Sequence, residues 1–545
     1  MTMADTRPNI PTPVNEPIRS YAPGTPDKAS LKLRLAQLSD DNTAVPLVIN
    51  GKAVSGNGMV PIRAPHRHEL VVGEHATGGT REIGAAINAA LRARHDWAAM
   101  PYADRAAVFL RAAAMLAGPY RDTINAATML GQSKNVMQAE IDAACELIDF
   151  WRFNVAFGDH ILRQQPLSDG TAWNRLEYRA LEGFVFVVSP FNFTSIAGNL
   201  PAAPALMGNT VVFKPSHETM LVCHFLMRLL EEAGLPPGVI NMVSGDSAKI
   251  ADQVLASRDL AGIHFTGSTP VFNSMWNTIG SNVGNYRNYP RIVGETGGKD
   301  FIFAHESADE ASLVTAMVRG AFEYQGQKCS AASRAYIPKS MWKRIKRDLS
   351  DQVETIRMGD VADFRNFMGA VINESAFKRH KNAIAEARRS TKADVVVGGN
   401  TEDKEGWFVG PTVIEAETSD YRTMREELFG PILTVYPYPD KEFEKTLEIC
   451  DQTSPYGLTG AIFARDRDAV STASDRLVNA AGNFYVNDKP TGAVVGLQPF
   501  GGARGSGTND KAGSYLNILR WVSPRTVKET YVPPTDYRYP HMAEE

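Results

Sequence analysis

The sequence is short of the features that mark several common roles. Only four cysteines occur in 545 residues: Cys145, Cys223, Cys329 and Cys450. No two have the close spacing of a zinc site, and four do not make a disulfide framework for a chain this long. A reducing compartment is expected. Net charge is also small, 57 Lys and Arg against 61 Asp and Glu, or −4. That balance, with no basic stripe, argues against a nucleic-acid or membrane-surface binder. No apolar run reaches the roughly 18–20 residues of a membrane helix. The start, MTMADTRPNIPTPVNEPIRSYAPGTP, lacks a secretory signal's apolar core and the Arg-rich pattern of a mitochondrial presequence. It reads as an extended, irregular arm, and the chain as cytoplasmic. No G-x-G-x-x-G follows a strand, and no G-x-x-x-x-G-K-[ST] occurs, so ATP or GTP use is unsupported. Neither HRH at 66–68 nor HETMLVCH at 217–224 offers three metal ligands, so no metal is expected.

What is present is an ordinary globular composition, 43% hydrophobic and 22% charged. The length predicts two to four structural units. Residues 80–160 read as helices. Ile141, Ala144, Cys145, Ile148, Trp151 and Val155 follow three-four spacing, with Glu146 off that stripe. WNRLEYRA at 173–180 alternates like a half-exposed strand. From 183 onward strands and helices take turns: GFVFVVSP, NTVVFKP, a helix after Ser216 that stops at Gly234, VINMVSG and GIHFTGS. A second such block, from about 293 to 500, carries FIFAH, SRAYIP, ILTVYPY, TGAIFA and GNFYVN. This alternation predicts an α/β fold with parallel sheets. The tail SPRTVKETYVPP reads as a strand-like arm able to pair with another element.

Several residues carry candidate chemistry. In FTGSTPVF, the strand ends at Thr266-Gly267, Ser268 or Thr269 caps the next helix, and Pro270 sits near its start. Such a helix N-terminus accepts a phosphate, or is simply a capped turn. Lys214 ends the strand NTVVFKP, where parallel sheets bind ligands, or is a plain surface lysine. Cys329, in YQGQKCSAAS, is the nucleophile candidate. Lys328 beside it is expected to favour the thiolate. Cys145, Cys223 and Cys450 read as core cysteines. His217, His224 and His264 lack a setting that marks a base. Glu295, between an apolar stretch and GG, is a water-activating carboxylate if an apolar pocket raises its pKa, and otherwise a loop glutamate. Asn192, in SPFNF, is an oxyanion donor or a turn residue.

Together the motifs resemble a family. SPFNF, VVFKPS, FTGS, GETGGK, GQKCS, EELFGP and PFGG stand in the order of the NAD(P)-dependent aldehyde dehydrogenase superfamily, over nearly the whole chain. EIDAACELIDFWRFN, GFVFVVSPFNFTSIAGNL, FEYQGQKCSAASR and NDKPTGAVVG are similar to its branch that oxidises L-glutamate γ-semialdehyde, the open form of 1-pyrroline-5-carboxylate. The resemblance implies an aldehyde dehydrogenase-like α/β fold: a Rossmann-like NAD domain over 1–168 and 182–292, and a catalytic domain over 293–505. A β-hairpin oligomerisation element and C-terminal arm would take 169–181 and 506–545. It implies Cys329 as nucleophile, Glu295 as base and Asn192 as oxyanion donor. NAD would be held by Ser189, Lys214, Gly267, Ser268, Thr269, Glu427 and Phe429. The substrate's ammonium would meet Glu146. Its carboxylate would meet Ser330 and the Gly492–Ala493 backbone, with Lys328 adding charge, and Phe193 and Phe500 would wall its stem. Two departures stand out. His217 replaces the glutamate that favours NAD in many members, so NADP is the alternative coenzyme. Ala493 replaces a serine of some relatives. The resemblance also implies a homodimer or dimer-based oligomer, a functional link to proline dehydrogenase in a single-activity form, and the mitochondrial matrix if the source is eukaryotic. Competing readings are a dehydrogenase for another semialdehyde, such as succinic, and a silent protein on this fold.

Overall fold

The computed structural model describes residues 8–544. Two seven-stranded sheets organise the chain. In the first, Arg291–Glu295, Leu260–Thr266, Phe184–Val188, Thr210–Lys214 and Ile240–Met242 lie parallel in that order. Leu47–Ile49 and Lys52–Val54 extend it antiparallel. The central strands are near-continuous apolar runs because helices cover both faces: every residue of Leu260–Thr266 is buried. In the second sheet the order is Ala393–Val397, Thr412–Ala416, Ile432–Tyr438, Ala332–Pro338, Asp300–Ala304, Thr459–Phe463 and Asn483–Val486. All neighbours are parallel except the first pair.

Each strand named from the sequence after residue 183 is present. The boundary expected at 292/293 falls inside the strand Arg291–Glu295, which belongs wholly to the first sheet. The second sheet begins at Asp300. Ser216 does not cap a helix with its hydroxyl. The hydroxyl goes instead to the Glu218 carboxylate, a single 3₁₀ turn His217–Thr219 intervenes, and the helix proper is Met220–Glu232. Gly234 ends that helix with φ +96°, a conformation open to glycine.

Two segments outside the sheets matter for the site. The strand Ala172–Arg179 pairs antiparallel with Ser523–Thr530 along its whole length, so the tail does find a partner. The resulting ribbon carries exposed Trp173 and Tyr531. The helical region 80–162 is interrupted by a π turn, Glu140–Cys145, before the helix Glu146–Leu162. The widened turn rotates that helix relative to the path of a continuous α-helix. Residues 8–24 form neither helix nor strand, as the prolines suggest. Among the described residues no helix is long and apolar enough to cross a membrane, and no group of His, Cys, Asp and Glu is arranged to hold a metal.

Candidate active site

A cavity of about 210 Å³ opens between the sheets, and Cys329 lines it. Both sheets contribute. Thr266 and Glu295 come from C-terminal strand ends of the first, while Cys329 and Ser330 stand on the loop that leads into Ala332–Pro338 of the second. That loop is held in an unusual backbone. Tyr324, Gln325 and Gly326 have successive φ of +50°, +54° and +64°. Two non-glycine residues in the left-handed region cost energy that the surroundings must supply. Gln325 supplies part of it, with Nε2 donating to Ser133 O at 3.0 Å and Ala370 O at 2.8 Å. Asn192 Nδ2 donates to Gln327 O at 3.0 Å, two residues before the thiol. Nδ2 carries a second hydrogen, which leaves one for another acceptor. Asn192 therefore braces the nucleophile loop and is not itself among the cavity-lining residues.

The electrostatics at this end are acidic. Burial pushes the Cys329 thiol well above its ordinary range, and the carboxyls of Glu295, Asp300 and Glu427 push it further. Lys328 does not lower it, contrary to the sequence expectation. Its ammonium turns to Asp142 at 3.4 Å and Glu323 at 3.6 Å. Glu295 is raised to about 8 by burial, with Asp510 adding and Lys511 opposing. Its Oε1 has no hydrogen-bond partner among the described residues. Such a carboxyl is poised to take a proton near neutral pH. Cys145, Cys223 and Cys450 are buried, although Cys145 also borders the cavity.

A second set of groups at the cavity is crowded with paired charge. Asp142, in the π turn, accepts from Lys134 Nζ at 2.8 Å. Lys134 also lies over the rings of Phe193 and Tyr324, at 4.3 and 4.5 Å. Burial and the nearby Lys328 charge bring it down to about 8, against Asp142. Glu146 Oε2 accepts from Ser195 Oγ at 2.6 Å. Burial and Asp142 raise Glu146 to about 8. Ser330 Oγ and Thr491 Oγ1 are 2.8 Å apart. Glu146, Phe193, Lys328, Ser330, Gly492, Ala493 and Phe500 all line the cavity. Sequence reasoning missed Asp142, Lys134 and Thr491, and it missed Asn15 and Glu16 of the arm, which also reach the site.

Of the residues expected to hold a dinucleotide, Ser189, Lys214 and Gly267–Thr269 sit at the first sheet's strand ends, while Glu427 and Phe429 precede the strand Ile432–Tyr438 of the second. Lys214 is buried at the end of Thr210–Lys214, in register with Val188, next to Ser189. The Ser189 and Thr266 hydroxyls lack partners among the described residues. Ser268 occupies the N-cap of the helix Thr269–Ser281 without a side-chain cap, which leaves amides for an anion. Glu427 Oε1 accepts from Gly298 N at 2.8 Å, and burial raises its carboxyl to about 7. Phe429 takes φ +57° and packs edge-on against Phe191. Orphaned hydroxyls, a lysine and free helix amides fit a sugar–phosphate ligand. His217 packs 5.2 Å from the His75 ring, and Glu218 is tied to Ser216 and Asn373, so Glu218 does not replace the missing glutamate.

The aldehyde dehydrogenase family model matches residues 53–527. A Dictyostelium discoideum protein called delta-1-pyrroline-5-carboxylate dehydrogenase, mitochondrial, is 48% identical over 539 residues, covering 98% of this chain and 97% of that one. The crystal structure of the Delta-pyrroline-5-carboxylate dehydrogenase from Mycobacterium tuberculosis is 55% identical with TM-score 0.96, covering 99% of this chain and all of that one. A second structure of that protein, bound with NAD, matches equally well.

Proposed function

Because the chain belongs to the aldehyde dehydrogenase family, we propose that it oxidises L-glutamate γ-semialdehyde to L-glutamate with NAD. The observation that carries the proposal is the cavity itself. Its lining holds a thiol near a buried carboxyl, and also Glu146 and the Ser330–Thr491–Gly492–Ala493 cradle. An aldehyde with an α-amino acid head uses both sets of groups. A simple aldehyde uses only the first.

The Cys329 thiol gives up its proton to solvent, and the thiolate attacks the aldehyde carbon. The free hydrogen of Asn192 Nδ2 and the Cys329 N–H hold the developing oxyanion. Ser189, Lys214, the Gly267–Thr269 turn, Glu427 and Phe429 would hold NAD, which supplies the hydride acceptor when bound. The residue left on Cys329 is a thioester. Glu295 then deprotonates a water that attacks it, and glutamate leaves as the thiol re-forms. Throughout, Glu146 meets the ammonium and the 491–493 loop the carboxylate, so the reacting carbon is held at Cys329. NADP is the alternative coenzyme because His217 brings no carboxylate to repel a 2′-phosphate.

We assign the NAD-binding unit to the first sheet and its helices, and the catalytic unit to the second. The ribbon of Ala172–Arg179 and Ser523–Thr530 has free edges, which an isolated protein must protect. It supports a dimer or dimer-based assembly, and sedimentation as a monomer at micromolar concentration would contradict that. The substrate arises by oxidation of proline, which links the chain functionally to a proline dehydrogenase. The four unpaired cysteines suit a reducing compartment, the cytoplasm or a mitochondrial matrix.

The test is reduction of NAD and of NADP with glutamate semialdehyde, with glutamate identified as product. Turnover with NAD that yields glutamate supports the reading. No turnover with either coenzyme would overturn it and favour a silent protein on this fold.

A further inference from the structure

The N-terminal arm is irregular and lies outside the stretch matched by the family model, yet Asn15 and Glu16 border the substrate cavity. Asn15 makes two contacts with one amide nitrogen. Nδ2 donates to Asp149 Oδ2 at 2.8 Å and to Val495 O at 2.9 Å. Asp149 stands one turn beyond Glu146 on the helix Glu146–Leu162. Val495 closes the loop that carries Gly492 and Ala493. The two hydrogens of a single amide therefore join the element holding the ammonium partner to the element holding the carboxylate cradle.

The arm is fixed so that this amide cannot drift. Glu16 N donates to Asp149 Oδ1 at 2.7 Å, giving the same carboxylate a second partner. The Glu16 carboxylate is gripped by Arg121 at 2.5 Å and Arg152 at 2.8 Å. Arg19 N donates to Glu140 Oε1 at 2.8 Å, and the same carboxylate pairs with buried Arg121. The loop already approaches this helix closely, since Gly496 has φ +81° and a Cβ there would run into the Phe153 ring. What that glycine contact leaves free is sliding of the loop along the helix. A hydrogen-bonded bridge resists sliding, whereas an apolar contact does not.

We propose that Asn15 is a positioning residue for substrate recognition: it clamps the Thr491–Val495 loop to the helix of Glu146 and so sets the spacing between the two groups that read the amino-acid head. The inference rests on the substrate reading above for its catalytic consequence, though not for the clamp. An amino-acid aldehyde spans both anchors and feels their spacing. An aldehyde with no charged head does not.

The experiment uses the full-length enzyme and its Asn15→Ala variant, with Asn15→Ser as a milder second change should the first fold poorly. Two readouts separate the claims. Backbone amide exchange across 491–496 tests the clamp without any substrate. KM for glutamate semialdehyde and for propanal tests its use. The clamp requires faster exchange in that loop in the variant. Its role in recognition requires KM for glutamate semialdehyde to rise about tenfold with kcat and the propanal parameters within about twofold, the scale of a lost hydrogen bond to a charged group. Unchanged loop exchange overturns the clamp. Faster exchange with an equal effect on both aldehydes overturns the role in recognition and leaves Asn15 a packing residue. If the unaltered enzyme does not turn over glutamate semialdehyde, the substrate reading fails, and loop exchange still decides the clamp.

Discussion

The two ends of the cavity are built on opposite principles. Around Cys329 polar groups are left wanting: among the described residues the Glu295 Oε1 atom and the Thr266 hydroxyl, both on the cavity lining, have no partner, and carboxyls act on the thiol. Around Glu146 most groups are paired, the Tyr324 hydroxyl excepted among the described residues. Asp142 holds two lysines, Lys134 lies over two rings, and Ser330 meets Thr491. Unsatisfied groups in a dry site are costly and are kept where protons or charge must move. Satisfied networks are rigid and hold a shape that a substrate must match. Chemistry sits at the first end and recognition at the second.

Substitutions at the two ends should therefore fail differently. The largest effect belongs to Cys329→Ala, which should lower oxidation by about 10⁴-fold or more while NAD still binds. Calorimetry of NAD binding beside turnover checks this, and surviving turnover would dismiss the nucleophile. Next is Glu295→Gln. Loss of a general base costs about 10²–10⁴-fold, and here it should fall on thioester hydrolysis more than on hydride transfer. A stopped-flow burst of NADH would show it, and equal slowing of both phases would count against the base. The raised carboxyl also sets the sign of the pH dependence. Glu295 acts as base only when ionised, so the hydrolytic rate should climb with pH through about 8 and flatten above it. The Gln variant should lose that limb.

At the recognition end the effects move to KM. Glu146→Gln should raise KM for glutamate semialdehyde about 10–100-fold, the scale of a lost hydrogen bond to a charged group, with propanal unaffected. Because Glu146 also sits near 8, KM in the unaltered enzyme should fall as pH rises toward that value and the carboxylate forms. The smallest effect is Ser330→Ala, about fivefold on the same KM, since Thr491 and the loop amides remain to meet the carboxylate.

The two ends were also unequally legible in the sequence. Cys329, Glu295 and Asn192 sit in short glycine-punctuated motifs where strands end, and a local pattern marks such places. Asp142 and Lys134 were hidden. A three-four spacing count assumes an α-helix, and the π turn at Glu140–Cys145 breaks that period just where the network forms. Lys328 was read from its neighbour in sequence, whereas its partners Asp142 and Glu323 come from other elements. Asn15 had no local signal, because an irregular arm gains its position only by docking. The strands of both sheets were legible as apolar runs alternating with helices. The boundary near residue 293 was not, because Arg291–Glu295 closes one sheet only a few residues before the other begins.

The account's central claim is that one end of the cavity reads an amino-acid head. The most direct test compares kcat/KM for glutamate semialdehyde with that for 5-oxopentanoate, which lacks only the ammonium, in the unaltered enzyme and in Glu146→Gln. The account predicts a strong preference for glutamate semialdehyde that collapses about 10–100-fold in the variant. Equal rates on the two aldehydes, or a preference untouched by the substitution, would contradict it.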